Sequence, residues 1–367
     1  MILHLTGAVL TAVGSRPEAW VDDGRMAWSG PAGPPDVELD GVVLPGLVDV
    51  HCHVGLGERG EVARETAEAQ ALADRDTGVL LIRDAGVPSD TRWIDDRPDL
   101  PRIIRAGRHL ARPRRYLPGF AEELDDVAAL PEAMARNARA GDGWVKLVAD
   151  WIDRSEGADS RVRPLWPADV LADGVAAAHA AGARVIAHAF SHEAIDPLLE
   201  AGIDCIEHGT GMDADQIAEA ARRGIPVTPT MIQVDNFAEF AAAGGRRYPR
   251  YAEQMLAMWE RRDVQLRAFH EAGIQLLPGS DAGGTIPHGS LPDELARWVA
   301  GGIPATDVVA LATWRAREYL GAGTLGEGEP ADLVVYDEDP RRDITVLSRP
   351  RAVVLRGALH SGRALTG

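Results

Sequence analysis

The amino-acid sequence predicts an α/β fold of a particular kind: a (β/α)8 TIM barrel with a small β-sandwich domain formed by both chain termini. Three observations predict it. From about residue 41 onward short apolar runs alternate with helix-like stretches, eight such runs can be counted, and the Gly- and Pro-rich ends of the chain fall outside the alternation. At 367 residues the chain has room for one barrel of roughly 250 residues and a small attachment.

In chain order, residues 1–43 and 325–367 are assigned to the small β domain, with strands expected at 333–337 and 352–357, and residues 44–324 to the barrel. The barrel strands are expected at 42–53, 79–84, 102–107, 144–149, 184–190, 204–208, 226–231 and 274–280. Helix-like patterns at 61–76, 167–181, 192–201, 213–223 and 248–272 separate them. Several of these run into a glycine just before the next strand, as at Gly202 and Gly224, where a helix C-terminus calls for a left-handed residue.

Composition narrows the class. Apolar residues are 46% and charged residues 26% of the chain, which excludes disorder, collagen-like repeats and disulfide scaffolds. A net charge of −18, with no long run of Lys or Arg, would repel phosphate backbones and anionic membranes, so neither nucleic acid nor membrane is an expected partner. The N-terminal stretch lacks the charged start and long apolar centre of a signal peptide, and no segment reads as a membrane span. Cys52 and Cys205 form no CxxC, which points to a reducing cytoplasm. The expectation is a cytoplasmic protein acting on a small molecule, with a homo-oligomer left open.

The chemistry gathers at expected strand ends. His51 and His53 are two apart on a strand and so share a face, and two imidazoles on one side suit a borderline metal such as zinc. His188 closes Arg-Val-Ile-Ala-His, His208 closes Cys-Ile-Glu-His, and Asp281 follows Gly-Ser after the last strand. All fall on the face where barrel enzymes keep their active sites, although a lone strand histidine often packs as a rim group and Asp281 could cap a helix. Lys146 stands inside the apolar run Trp-Val-Lys-Leu-Val, where an ammonium is costly to bury. It must be neutral, paired with Asp150, Asp84 or Asp281, or chemically modified. A neutral lysine can add carbon dioxide to give a carbamate, an anionic bridge for two metals.

These residues carry a resemblance. The run Leu-Pro-Gly-Leu-Val-Asp-Val-His-Cys-His ending at His53, with Lys146, His188, Glu-His-Gly-Thr around His208 and Gly-Ser-Asp-Ala-Gly around Asp281, resembles the amidohydrolase superfamily. It looks most like the binuclear branch of imidazolonepropionase-like and prolidase-like enzymes. The resemblance implies that His51, His53 and Asp281 hold one divalent metal ion, that His188 and His208 hold a second, and that carboxylated Lys146 bridges the two. It implies hydrolysis of an amide, peptide or cyclic amide bond by a metal-bridging hydroxide, with Asp281 moving the proton. A mononuclear deaminase-type enzyme on the same fold is the alternative, for which Glu193 follows His188 at an unfavourable distance. A barrel without catalysis, serving as a binding module, is a further one.

Substrate contacts are expected from two loops. Arg105, Arg108, Arg112, Arg114 and Arg115 cluster after the third strand of an otherwise acidic chain. Arginine binds carboxylates through two parallel hydrogen bonds, so Arg108, Arg112 and Arg115, with Tyr116 beside them, are candidate anchors for a dipeptide or N-acyl amino acid. The competing reading pairs this loop with residues 122–126. His288, just after Asp281, is a further candidate contact.

Overall fold

The computed structural model describes residues 1–362, so residues 363–367 of the expected terminal segment lie outside it. The fold is mixed α/β. The two ends of the chain meet on the strand Val37–Pro45, which pairs in parallel with Leu3–Thr11 on one side and antiparallel with Leu333–Tyr336 on the other. Gly14–Asp22 and Arg25–Ala27 extend this sheet at one edge, and Ala352–Leu355 and Ala358–Gly362 at the other, so all of them lie in a single seven-stranded sheet. Side-chain alternation gives that sheet two apolar faces. Leu3, Leu5, Val43, Leu333 and Val335 pack together in a small core of their own, while Leu10, Leu44, Val334 and Tyr336 join the main core.

The run expected as one strand at 42–53 is therefore two strands with a corner between them. The chain leaves the terminal sheet at Pro45 and opens the strand Leu47–Gly57. Gly46 turns the corner against Leu80, whose Cδ1 would stand 2.5 Å from any Cβ there. The buried Arg317 guanidinium holds the corner, Nε donating to Gly46 O (2.8 Å) and Nη1 to Gly323 O (3.1 Å).

Apart from two short antiparallel pairs, Asp150–Ile152 with Val162–Pro164 and Leu47–Gly57 with Gly60–Glu61, the remaining ladders are parallel. Leu47–Gly57 pairs with Val79–Asp84, and that strand with Arg102–Arg105. A second set runs His109–Ala111, Trp144–Val148, Arg184–Ala189, Cys205–His208 and Val227–Thr228. These strands are buried along almost their whole length, which is why they read as continuous apolar runs. The helices Arg64–Asp76, Ala168–Ala180, His192–Ala201, Ala214–Arg223 and Pro249–Glu271 lie close to the expected spans. Gly202 (φ 78°) and Gly224 (φ 68°) end their helices in the left-handed conformation. At its start, Ala214–Arg223 has a reciprocal cap between Asp213 and Gln216.

Two expected strands are shorter than the sequence implied. After Val227–Thr228 the chain turns into the helix Met231–Asp235, whose first amides donate to the Glu294 carboxylate. Residues 274–280 make isolated bridges rather than a strand. Val227 N donates to Gln275 O and Leu277 N to Val227 O on one side, and Val50 N donates to Pro278 O (2.8 Å) and Asp281 N to His51 O (2.7 Å) on the other. Pro278 has no N–H to offer a regular ladder. These bonds join the edges of the two parallel sheets and bring Asp281 against His51. No helix among the described residues is long and apolar enough to cross a membrane.

Candidate active site

His51 and His53 leave the same face of Leu47–Gly57, and both Nε2 atoms meet one oxygen of Asp281, at 3.1 and 3.2 Å. His53 Nδ1 lies 2.7 Å from Gly86 O, which fixes the ring with Nδ1–H donating and Nε2 unprotonated. The ring of His208 is held in place, with Nδ1 2.7 Å from Thr230 Oγ1. Its ring centroid is 5.1 Å from that of His51 and 4.7 Å from that of His188. Asp49, buried behind the site, accepts from His51 N, Ser280 N and Ser280 Oγ, so one carboxylate fixes both the strand of His51 and the approach to Asp281. Burial pushes the Asp49 carboxyl up to about 7.

Backbone conformation marks the same place. His208 (φ 67°), Thr230 (φ 45°) and Asp281 (φ 56°) all adopt left-handed conformations. Each costs roughly 1–2 kcal/mol in a residue with a side chain, and such strain persists where surrounding structure imposes it, as at functional sites.

Lys146 is fully buried, and its partner is Glu207, not Asp150, Asp84 or Asp281. Glu207 also accepts from Arg83 Nη2 (2.9 Å) and lies 3.3 Å from His51 Nδ1. Asp150 is occupied by Phe190 N, Ser191 N and Ser191 Oγ, and Asp84 by Gly86 N. Burial, chiefly, pushes the Lys146 ammonium down to about 7, so a substantial share of it is a neutral amine near neutrality. Burial also lowers the pKa of His51, His53, His188 and His208. Neutral imidazoles are the form that binds metals.

A cavity of about 440 Å³ opens on this cluster, and His53, His188, His208 and Asp281 form its floor. Its walls are largely aromatic: Tyr116, Phe120, Trp151, Phe190, Phe240 and Tyr251. Of the expected substrate contacts, Tyr116 lines the cavity; Arg108, Arg112 and Arg115 do not. Arg108 Nε points to Phe120 O (3.4 Å), Arg112 donates to Leu124 O and Asp125 O, and Arg115 pairs with Asp153 (2.6 Å). Arg105 is buried against Thr91, Asp95 and Asp142. Arg112 and Arg115 border a separate cleft with Asp153 and Arg163. The cluster thus pairs mostly with its own neighbouring segments, and the arginine at the cavity is Arg154, which the sequence did not single out.

His288 is also displaced from its expected place, into a neighbouring cleft, where Nδ1 pairs with buried Asp74 at 2.8 Å and Asp74 also accepts from Gly289 N. Burial opposes charge on this ring, yet the Asp74 carboxylate overrides it and raises the pKa above the ordinary 6.5. The protonated pair adds stability that is fully present below about pH 6.5 and is lost as the pH rises through the raised value. The stability difference between the wild type and His288→Gln, read by urea unfolding, is therefore expected to shrink from about pH 6 to about pH 8. A pH-independent difference would contradict this.

One buried residue beside the site escaped the sequence reading entirely. His109 is fully buried, packs against His53 (centroids 5.3 Å) and Tyr116 (5.0 Å), and neither ring nitrogen has a hydrogen-bond partner. Its position in a short strand of the arginine-rich loop gave no periodic signal.

The donor chemistry fits a divalent metal. His51, His53 and Asp281 each offer an atom within 4.8 Å of the others, and the buried Nε2 of His188 has no hydrogen-bond partner. Imidazole and carboxylate donors gathered at parallel strand ends beside an apolar cavity define the class, a hydrolytic enzyme acting on carbon–nitrogen bonds. The chain belongs to the amidohydrolase family, whose model matches residues 42–359. An uncharacterised protein of Mycobacterium tuberculosis (strain ATCC 25618 / H37Rv) is 49% identical over 358 residues, 97% of this chain and 95% of that one. The structure is similar to that of a Xaa-Pro dipeptidase with bound methionine, with a TM-score of 0.83 at 22% identity over 99% of this chain and 100% of that one. It is similar also to a prolidase complexed with N-methylphosphonate-L-proline, with a TM-score of 0.82 at 25% identity over the same shares.

Proposed function

We propose that this enzyme hydrolyses an amide bond of a small molecule with two divalent metal ions, zinc being the metal its imidazole-rich donor set favours. His51, His53 and Asp281 would hold one ion and His188 and His208 the other, with Lys146 bridging as its carbamate. The meeting of two imidazole Nε2 atoms on one oxygen of Asp281 is the observation that carries this reading. A carbamate on Lys146 would keep one N–H, a donor that Glu207 could accept. In the same reading the parallel strands close as a (β/α)8 barrel over 44–324, and the terminal sheet folds over as a sandwich from 1–43 and 325–367. The free, buried Cys52 and Cys205 accord with a reducing, cytoplasmic setting.

When bound, the ions lower the pKa of a water and polarise the carbonyl oxygen that it attacks. The Asp281 carboxylate takes the proton of the attacking water and returns it to the leaving nitrogen. Burial by itself would raise the Asp281 carboxyl, but the charge and hydrogen bonds of His51 and His53, with His208 beside them, outweigh it and hold the group ionised, well below the usual carboxylate range. The Gly86 carbonyl, which can only accept, keeps His53 in the tautomer that leaves Nε2 free, and Thr230 Oγ1 holds the ring of His208 in place. The aromatic walls exclude bulk water from the reacting bond.

The test is elemental analysis of the purified protein together with an amide panel. Close to two ions per chain and amide turnover are expected. A single ion per chain with release of ammonia from a ring amine would instead favour the mononuclear deaminase-type reading.

A further inference from the structure

We infer that the substrate carries a large aryl group on one side of the scissile carbon–nitrogen bond and a carboxylate held at the mouth by Arg154. The inference rests on the hydrolytic reading above and deepens it. It departs from the carboxylate-led recognition that the arginine-rich loop implied, because those arginines are engaged elsewhere.

Aromatic rings crowd the histidine cluster. Phe190 lies 4.2 Å, centroid to centroid, from His188 and 4.8 Å from His208. Trp151 lies 5.4 Å and Tyr116 5.8 Å from His188, and these two rings meet each other edge-on at 4.8 Å. An aromatic wall therefore starts at the catalytic floor itself. Phe240 and Tyr251, from the helices Phe237–Gly244 and Pro249–Glu271, continue it outward. A group entering here exchanges water for ring faces and edges. Apolar area removed from water is favourable in proportion to its size, and offset or edge-on ring pairs add to that. A short alkyl side chain leaves most of the wall unfilled, whereas an aryl group covers it.

The polar groups of the cavity are few, which makes their roles specific. Trp151, which stands between the cavity and the neighbouring cleft, has a buried Nε1 with no hydrogen-bond partner, an indole N–H without an acceptor. Arg154 is exposed at the cavity wall, and among the described residues no carboxylate is recorded in a salt bridge with it. Glu58 sits on the same lining. A substrate carboxylate thus meets one cation at the mouth, while its aryl end lies on the aromatic wall.

The test uses the metal-replete enzyme with three probes: N-acetyl-L-alanine, N-benzoyl-L-alanine and N-acetyl-L-phenylalanine. At least one aryl probe is expected to exceed N-acetyl-L-alanine in kcat/KM by about tenfold or more, the scale of one well-filled apolar pocket. Tyr251→Ala and Phe240→Ala should erase most of that advantage through KM, with ion content unchanged. Arg154→Met should reduce the preference for the better acid over its neutral carboxamide. Benzoate should also inhibit competitively at lower concentration than acetate, a readout that needs no turnover of the aryl probes. Equal rates for all three probes, with benzoate no better than acetate, overturn the aryl inference and leave the hydrolytic reading standing. No turnover of any amide by protein holding two ions overturns the hydrolytic reading, and this inference with it.

Discussion

Replacing His51 or His208 by Ala is expected to lower kcat/KM by roughly 10³-fold or more, because each change removes a donor to an ion that supplies several kcal/mol of transition-state stabilisation. His51 converges with His53 on Asp281, and His208 bridges in space between His51 and His188, so neither loss has a substitute nearby. Ion content should fall with activity. The far-ultraviolet circular dichroism of the metal-free protein should not change, since neither ring belongs to the apolar core. Wild-type activity in either variant would remove this cluster from the chemistry.

Lys146→Ala is the second large effect. In the proposed reading this side chain is the one member of the cluster that changes chemically before it serves, and it is fully buried against Glu207. Its loss is expected to cost at least the 10–100-fold that even an outer partner of a metal ligand is worth, in ion affinity and in rate. Bicarbonate with a short carboxylic acid should restore part of both by supplying a substitute bridge. In the wild type, carbamate formation needs the neutral amine, whose share grows as the pH rises through about 7. Reconstitution of metal-free protein with zinc at a fixed concentration of dissolved carbon dioxide should therefore quicken across that range. An unmodified amine in a crystal structure with both ions bound would defeat the prediction.

The ligand cluster was legible in the sequence because it is written in local terms. His51 and His53 obey the two-residue period of a strand, and His188, His208 and Asp281 each close or follow an apolar run. The helices between strands were legible for the same reason, each ending in its own glycine or capped by its own side chain. What could not be read were pairings between distant segments. Lys146 was conspicuous, but Glu207 as its partner depends on which strands lie side by side. The arginine cluster misled because clustering in sequence does not say which way a loop faces; Asp95, Asp142, Asp153 and the carbonyls of Leu124 and Asp125 absorb it. The aromatic wall is drawn from residues as far apart as Tyr116 and Tyr251, each of which reads singly as ordinary core. The strand expected at 274–280 is not one: Pro278 limits what that apolar run can pair, and the short strand beside Leu47–Gly57 is Ala282–Gly284, just beyond it.

The sheet that joins the two chain ends also sets an order of events during synthesis. Val37–Pro45 emerges from the ribosome long before its antiparallel neighbour Leu333–Tyr336. Until then an apolar strand keeps one edge open, a template for the wrong partner, and a pairing so distant in sequence is slow to find. The nascent chain thus carries an open strand edge directly upstream of Gly46 and the strand of His51 until Leu333–Tyr336 has been made.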